Sequence, residues 1–357
     1  MRYIKQLDSI RAIAVILVII WHWIPRNSFI ENIHGGSLGV NAFFVLSGFL
    51  ITEILFINRE RAENSIETRR HVLKNFYVRR VLRIFPIYYL TIFLTIILHH
   101  KLALGVTRNE VLSNLTYTSN FFIYMHKVWP LSSLHFWSLA VEEQFYLTWP
   151  LIMLFWPRKY LMPVILFFIT TGFVSQLLIT DHEFGYLPTN TSLDCFGLGG
   201  MLAFIVVYQP QFLQKFYQLF TFLCIAAISI SIICWQFDFY LGNTRFIQAI
   251  ISVWVINHIL VSKERKSWLV SFLSSRLLIN IGKVSYGIYL YHILYVYMAN
   301  KYWYKYIYDY YAAFVNKRLE PWIFAFVNFM ILYFIAWLSW KFIEKPILSL
   351  KGKFQYR

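Results

Sequence analysis

Two side chains in the first apolar run of this 357-residue chain have the types and the spacing for proton and anion chemistry. Arg11 and His22 stand eleven positions apart. On a helix that is about 16.5 Å and about three turns, so both project from nearly the same face. A guanidinium holds phosphates through paired N–H donors, and an imidazole takes a proton from a hydroxyl near neutral pH. The same residues also suit an Arg snorkelling to the headgroups and a His satisfied by a neighbouring helix. A second group is Glu142-Glu143, two adjacent carboxylates inside an apolar stretch. They are costly there unless paired or protonated. Adjacent helical positions point about 100° apart, so the two serve different partners. One is suited to orient His22 or an Arg, and a structural ion pair between helices is the other reading. The third group is Arg79, Arg80 and Arg83, with Arg69, Arg70 and Lys74 upstream. It fits the phosphates of an anionic cofactor, or a topology signal facing anionic lipid.

These residues sit in a chain built for a bilayer. Apolar residues make up 59% and aromatics 20%. Charged residues make up only 14%, against roughly 25% in a soluble domain. The mean hydropathy is +0.54. This excludes a disordered chain, a coiled coil and an ordinary cytosolic enzyme, which needs far more polar surface. Ten runs approach the ~20 apolar residues of a membrane span: 7–25, 38–57, 84–100, 135–156, 160–180, 193–209, 215–235, 245–262, 277–300 and 322–341. The runs are continuous rather than alternating, which excludes a closed barrel and makes them helices. The predicted fold is therefore an all-α polytopic membrane protein of about ten transmembrane helices. The first run follows Arg2 and Lys5 and lacks a small-residue cleavage site, so it reads as a retained span rather than a removed signal.

The net charge of +16 comes from 33 Lys and Arg against 17 Asp and Glu. Most of that excess lies on the side of the N-terminus, with one large block from Arg59 to Arg83 read as a single loop. The positive-inside pattern then places both termini in the cytoplasm. No nucleic-acid motif accompanies the charge. Cys195, Cys224 and Cys234 show no metal or disulfide spacing. No HExxH, P-loop or GxSxG pattern occurs, so neither a metal nor a hydrolase elbow is expected. Glu53, Asp194, His258, His292 and Glu344 read as structural. The Tyr-rich stretch 302–311 reads as an aromatic belt, with stacking surfaces for a sugar as the second reading.

Six blocks in order resemble the acyltransferase family 3 of membrane proteins. Leu7-Asp8-Ser9-Ile10-Arg11-Ala12 through Trp21-His22 is similar to the family's Arg-(ten residues)-His motif. Gly39 to Thr52 resembles its GVxxFFVLSGFLIT block. Arg79-Arg80-Val81-Leu82-Arg83 resembles its RxxR signature. Trp137-Ser138-Leu139-Ala140-Val141-Glu142-Glu143-Gln144 resembles its WSLxVEEQFYL block. Ser285 to His292 and Ile343-Glu344-Lys345-Pro346 are similar to its closing segments. The chain departs from the pattern at Ser9 and Ala12, where the family often has Gly.

The resemblance implies an O-acyltransferase of the bacterial inner membrane. It implies acyl-CoA, usually acetyl-CoA, as donor and a hydroxyl of a surface glycan as acceptor. A lipid-linked glycan such as lipopolysaccharide O-antigen or an exopolysaccharide repeat is expected, with membrane lipid around the protein and no nucleic acid. It gives His22 the catalytic role, Arg11 a supporting role, Glu142 and Glu143 the acidic pair, and Arg79, Arg80 and Arg83 the donor's phosphates. Two chemistries stay open: His22 as general base in a ternary complex, or a covalent acyl-His intermediate. Residues 1–357 are expected to form one transmembrane domain, without the SGNH-type domain some members carry. The rival reading is a transporter or flippase for a lipid-linked sugar or small anion, for which no inverted repeat stands out.

Overall fold

The computed structural model describes residues 3–24, 35–64, 68–181, 183–236, 244–262, 267–304 and 320–354. Most of the Tyr-rich stretch 302–311 lies outside the described residues, as do Arg2, Arg26, Lys317 and Arg318. The long elements are α1 (Lys5–Trp23), α2 (Gly35–Asn64) and α3 (Arg69–Leu102). Two short helices follow, α4 (Arg108–Leu115) and α5 (Ser119–His126), and then α6 (Phe136–Phe155). Next come α7 (Leu161–Leu177), α8 (Leu193–Tyr208), α9 (Leu213–Gln236) and α10 (Thr244–Val261). The chain closes with α11 (Arg276–Lys283), α12 (Ser285–Ala299) and α13 (Glu320–Ser339). No strand occurs among the described residues. Eight of the described helices are long and apolar enough to cross a membrane. The protein is an all-α polytopic membrane protein.

Three differences from the sequence reading have local causes. The expected single span 277–300 is two helices. Val284 leaves the helical region at φ −105°, ψ 6°. Gly282 lets this segment press on the Asp8 backbone of α1, where a Cβ would sit 2.5 Å from the Asp8 carbonyl carbon. Ser285 Oγ then donates to the Gly282 carbonyl at 2.8 Å. Secondly, the basic block is not one loop. Its residues end α2 and begin α3, which starts under a Thr68 cap accepting from the His71 amide at 3.3 Å. At 34 residues, α3 runs about 51 Å and extends beyond the ~30 Å hydrocarbon layer. Arg79, Arg80 and Arg83 therefore sit on a rigid rod. Thirdly, residues 101–134 fold into α4 and α5. Tyr88 OH anchors α4 to α3 by donating to the Asn114 carbonyl at 2.8 Å.

The core is organised by the crossing of α2 and α8. A Cβ on Gly48 would lie 2.8 Å from Phe196 Cα, and one on Gly199 would lie 2.6 Å from the Phe49 amide nitrogen. Small residues let helix backbones touch where lipid offers no hydrophobic drive for association. Gly199→Val therefore forces two helices apart, and we expect a loss above ~4 kcal/mol. Size-exclusion chromatography of the detergent-solubilised variant should show no monodisperse folded peak. Buried polar groups reinforce the same region. Trp149 Nε1 on α6 donates to Thr52 Oγ1 at 2.8 Å. At the opposite end of the bundle from Arg79, Arg245 donates to Ser192 Oγ at 2.9 Å and to Asn41 Oδ1 at 3.3 Å.

Candidate active site

A cavity of about 90 Å³ lies between α1, α2, α3, α6 and α12. Arg11, Arg80 and Arg83 give it a cationic part, and Glu142 and Glu143 face the same space. Arg80 and Arg83 are three apart on α3, so helical geometry puts both on one stripe. Arg80 lies over the Tyr146 ring, 4.7 Å from its centroid, a contact that holds a guanidinium without neutralising it. Arg11 pairs with Asp8 one turn back at 2.6 Å. Among the described residues, Arg80 and Arg83 make no ion pair. Glu143 attracts Arg80 and Glu344 attracts Arg83 from beyond salt-bridge distance, and charges compensated only that far inside a bundle keep a solvation cost that a bound anion relieves. Arg79 points elsewhere: it donates to the carbonyls of Lys351 and Phe354, at 3.4 and 3.1 Å.

The two carboxylates separate as their 100° offset requires. Glu142 accepts from Ser47 Oγ on α2 and from Tyr146 OH one turn along α6. Those two hydroxyls are 2.9 Å from each other. Glu143 instead lies within electrostatic reach of Tyr88, Tyr89, Tyr117 and Tyr286. Neither carboxylate touches His22. Of the two partners expected for a carboxylate, His22 or an arginine, Glu143 lies within electrostatic reach of Arg80, and His22 has a different partner.

That partner is His292. His22 Nδ1 and His292 Nε2 are 3.0 Å apart, with ring centroids 5.0 Å apart. His292 Nδ1 lies 2.5 Å from the Tyr289 carbonyl. His135, the residue capping α6, packs its ring edge-on 4.6 Å from His292 and donates from Nε2 to the Leu290 carbonyl at 3.2 Å. Tyr289 stands between this trio and the cavity. Its ring lines the cavity, its OH bonds Ser138 Oγ at 2.5 Å, and it also donates to the His135 carbonyl at 3.1 Å. Phe43 meets Tyr289 edge-on at 6.1 Å. Arg11 thus lines the cavity, and half-buried His22 reaches Tyr289 only through His292.

The structure therefore brings Arg11, Arg80, Arg83, Glu142 and Glu143 to one space and sets His22 next to it. Sequence reasoning passed over Ser47, Tyr146, Tyr289 and His135, and read His292 as structural. The usable signal was the placement of Tyr289 and His292 in a polar-studded run, Ser285 to His292, inside an otherwise apolar segment. Among the described residues, no group of three or more His, Cys, Asp or Glu is arranged to hold a metal ion.

Comparison with known proteins converges on one family. A family model described as an acyltransferase domain matches residues 4–341. The chain is 30% identical over 374 residues to the O-acetyltransferase OatA of Staphylococcus aureus strain NCTC 8325 / PS 47, and equally to that of strain COL. Each alignment covers 97% of this chain and 57% of the relative. The chain thus spans somewhat over half the length of these curated relatives. No solved structure matches.

Proposed function

Because the chain belongs to the acyltransferase 3 family, we propose that it is an O-acetyltransferase. It moves an acetyl group from cytosolic acetyl-CoA to a hydroxyl of a lipid-linked surface glycan, such as O-antigen or an exopolysaccharide repeat. The setting is the bacterial inner membrane, with the Lys5 end of α1 in the cytosol and residues 1–357 acting as one transmembrane catalytic domain. The observation that carries the reading is the pairing of a cavity holding three arginines with a half-buried imidazole that meets His292, a neighbour of the cavity-lining Tyr289.

An acyl-CoA is polyanionic at one end and carries its thioester on a long flexible arm. Arg80, Arg83 and Arg11 hold the phosphates, because guanidinium forks match phosphate oxygens in pairs. The arm then leads the thioester toward Tyr289 and His22. His22 Nε2 takes the proton of the sugar hydroxyl as its oxygen attacks the thioester carbonyl carbon. The C–S bond breaks, and the proton passes from His22 to the departing thiolate. The products are an O-acetyl ester and free CoA thiol. No covalent acyl-enzyme forms in this scheme, and isolation of an acyl-His adduct would replace it with the two-step route. Glu142, held by Ser47 and Tyr146, fixes the cavity wall against α2.

The test is direct. Purified protein in detergent, given acetyl-CoA and a surface-glycan fraction, should release free thiol in step with ester formation on the glycan. A carrier that moves its cargo unchanged releases none. Absence of glycan-dependent thiol release from folded protein would end this reading and favour the transporter.

A further inference from the structure

The geometry points to His292 as the positioning residue that fixes the tautomer and the orientation of His22. This rests on the reading of His22 as general base. The Tyr289 oxygen can only accept, so the His292 nitrogen 2.5 Å from it, Nδ1, carries the hydrogen. A neutral imidazole has a single N–H. His292 Nε2 is therefore an acceptor, and it faces His22 Nδ1 at 3.0 Å. His22 Nδ1 must then donate, which leaves the lone pair of His22 on Nε2. The Tyr289 carbonyl on α12 thus acts through two rings on His22, whose own ring also hydrogen-bonds the Val18 carbonyl one turn back on α1.

The pairing also serves the charged state. When His22 Nε2 takes the hydroxyl proton, the ring becomes an imidazolium whose Nδ1–H still has its acceptor. A buried cation without such a partner bears an uncompensated cost. In hydrolase triads a carboxylate does this work. Here a neutral imidazole does it, and it adds no permanent charge to the interior of the bundle.

His292 is itself held from several sides. It is fully buried, and His135 packs against its face. The His135 ring is fixed by the Leu290 carbonyl, next in sequence to the carbonyl that holds His292. Tyr289 OH clasps the His135 backbone. The hydrogen-bond geometry passes from α12 to α1 through the main chain of Tyr289, and uses none of the arginines assigned above to the donor.

The experiment uses inverted membrane vesicles from a bacterium expressing the full chain, supplied with radiolabelled acetyl-CoA, with label counted in the vesicle glycans. Three substitutions at one position separate orientation from packing. His292→Gln supplies an oxygen able to accept from His22 Nδ1, and should keep its maximal rate within about tenfold of wild type. His292→Phe fills the site against His135 without an acceptor, and should lower the maximal rate by about 100-fold, the upper range for outer-shell partners. Its KM for acetyl-CoA should stay unchanged. His292→Ala should behave as His292→Phe does. Thermal stability in detergent is measured for each. Equal loss in His292→Gln and His292→Phe at wild-type stability would overturn the proposal, and so would a wild-type rate in His292→Phe. If Ala and Phe fail to accumulate, a His292→Gln rate more than about tenfold down in folded protein overturns it, and a rate within about tenfold supports it. The underlying reading fails separately: full activity in His22→Ala removes His22 from the reaction whatever His292 does.

Discussion

His22→Ala is expected to abolish acyl transfer, by at least about 10³-fold, while the folded chain remains in the membrane. General-base catalysis contributes about 10²–10⁴-fold. In this site the residue also receives the proton that must later reach the thiolate, so its loss disables both halves of the step. The side chain is not a packing keystone. It is partly accessible, and the fold around α1 rests on fully buried neighbours such as Ala12, Val15 and Val18. Label transfer to glycans in vesicles gives the rate, and the melting temperature in detergent reports the fold. A variant that retains substantial activity would take His22 out of the mechanism.

Arg80→Gln with Arg83→Gln is expected to raise the KM for acetyl-CoA by 100-fold or more, with a much smaller change in the maximal rate. Hydrogen bonds to charged groups contribute about 1.5–3 kcal/mol each, which is about 10- to 100-fold per arginine. The effect falls on binding because these guanidiniums meet the anionic end of the donor, far along the arm from the bond that breaks. Calorimetric titration with CoA should show the same loss as the kinetics. The corresponding Arg79→Gln should shift neither measurement by more than about threefold, because Arg79 spends its donors on the carbonyls of Lys351 and Phe354. A lost maximal rate with unchanged KM in the double variant would place the two arginines at the reacting bond instead.

The legible part of this molecule was its long apolar runs and the residues whose cost in lipid is high. Arg11, Glu142 and Glu143 stood out because a charge in an apolar run demands a reason, and all three reach the cavity. Arg80 and Arg83 stood out as part of a basic cluster and through the RxxR resemblance, although the block holding them reads as a loop in sequence. What was not legible is contact between distant segments. His22 and His292 are 270 residues apart, and nothing local to either marks the other as its partner. A carboxylate was one expected companion because its charge is conspicuous; the other reading, a His satisfied by a neighbouring helix, named no residue, because an imidazole in a tyrosine-rich helix is not conspicuous. The break at Val284 was hidden for a similar reason. It depends on how closely Gly282 approaches Asp8, which only the packed α1 reveals. The continuous α3 was masked by its own composition, since hydropathy ends a span where charges begin although the helix carries on.

The glycine crossing of α2 and α8 sets how this protein can breathe. Side chains yield by changing rotamer, but main chains already in contact have nothing to yield with. Ser47, adjacent to Gly48, therefore stands on an immovable anvil. α6 is tied to the same seam through Glu142–Ser47 and Trp149–Thr52, and α1 touches α2 main chain to main chain at Gly39 and Ala14. Widening that admits a substrate therefore falls to α3 and α12. That side carries Arg80, Arg83 and Tyr289, and Pro86 deletes one hydrogen bond of α3 a single turn beyond Arg83. Two of the three gripping arginines thus ride on the part that yields, while Arg11 stays with the anvil.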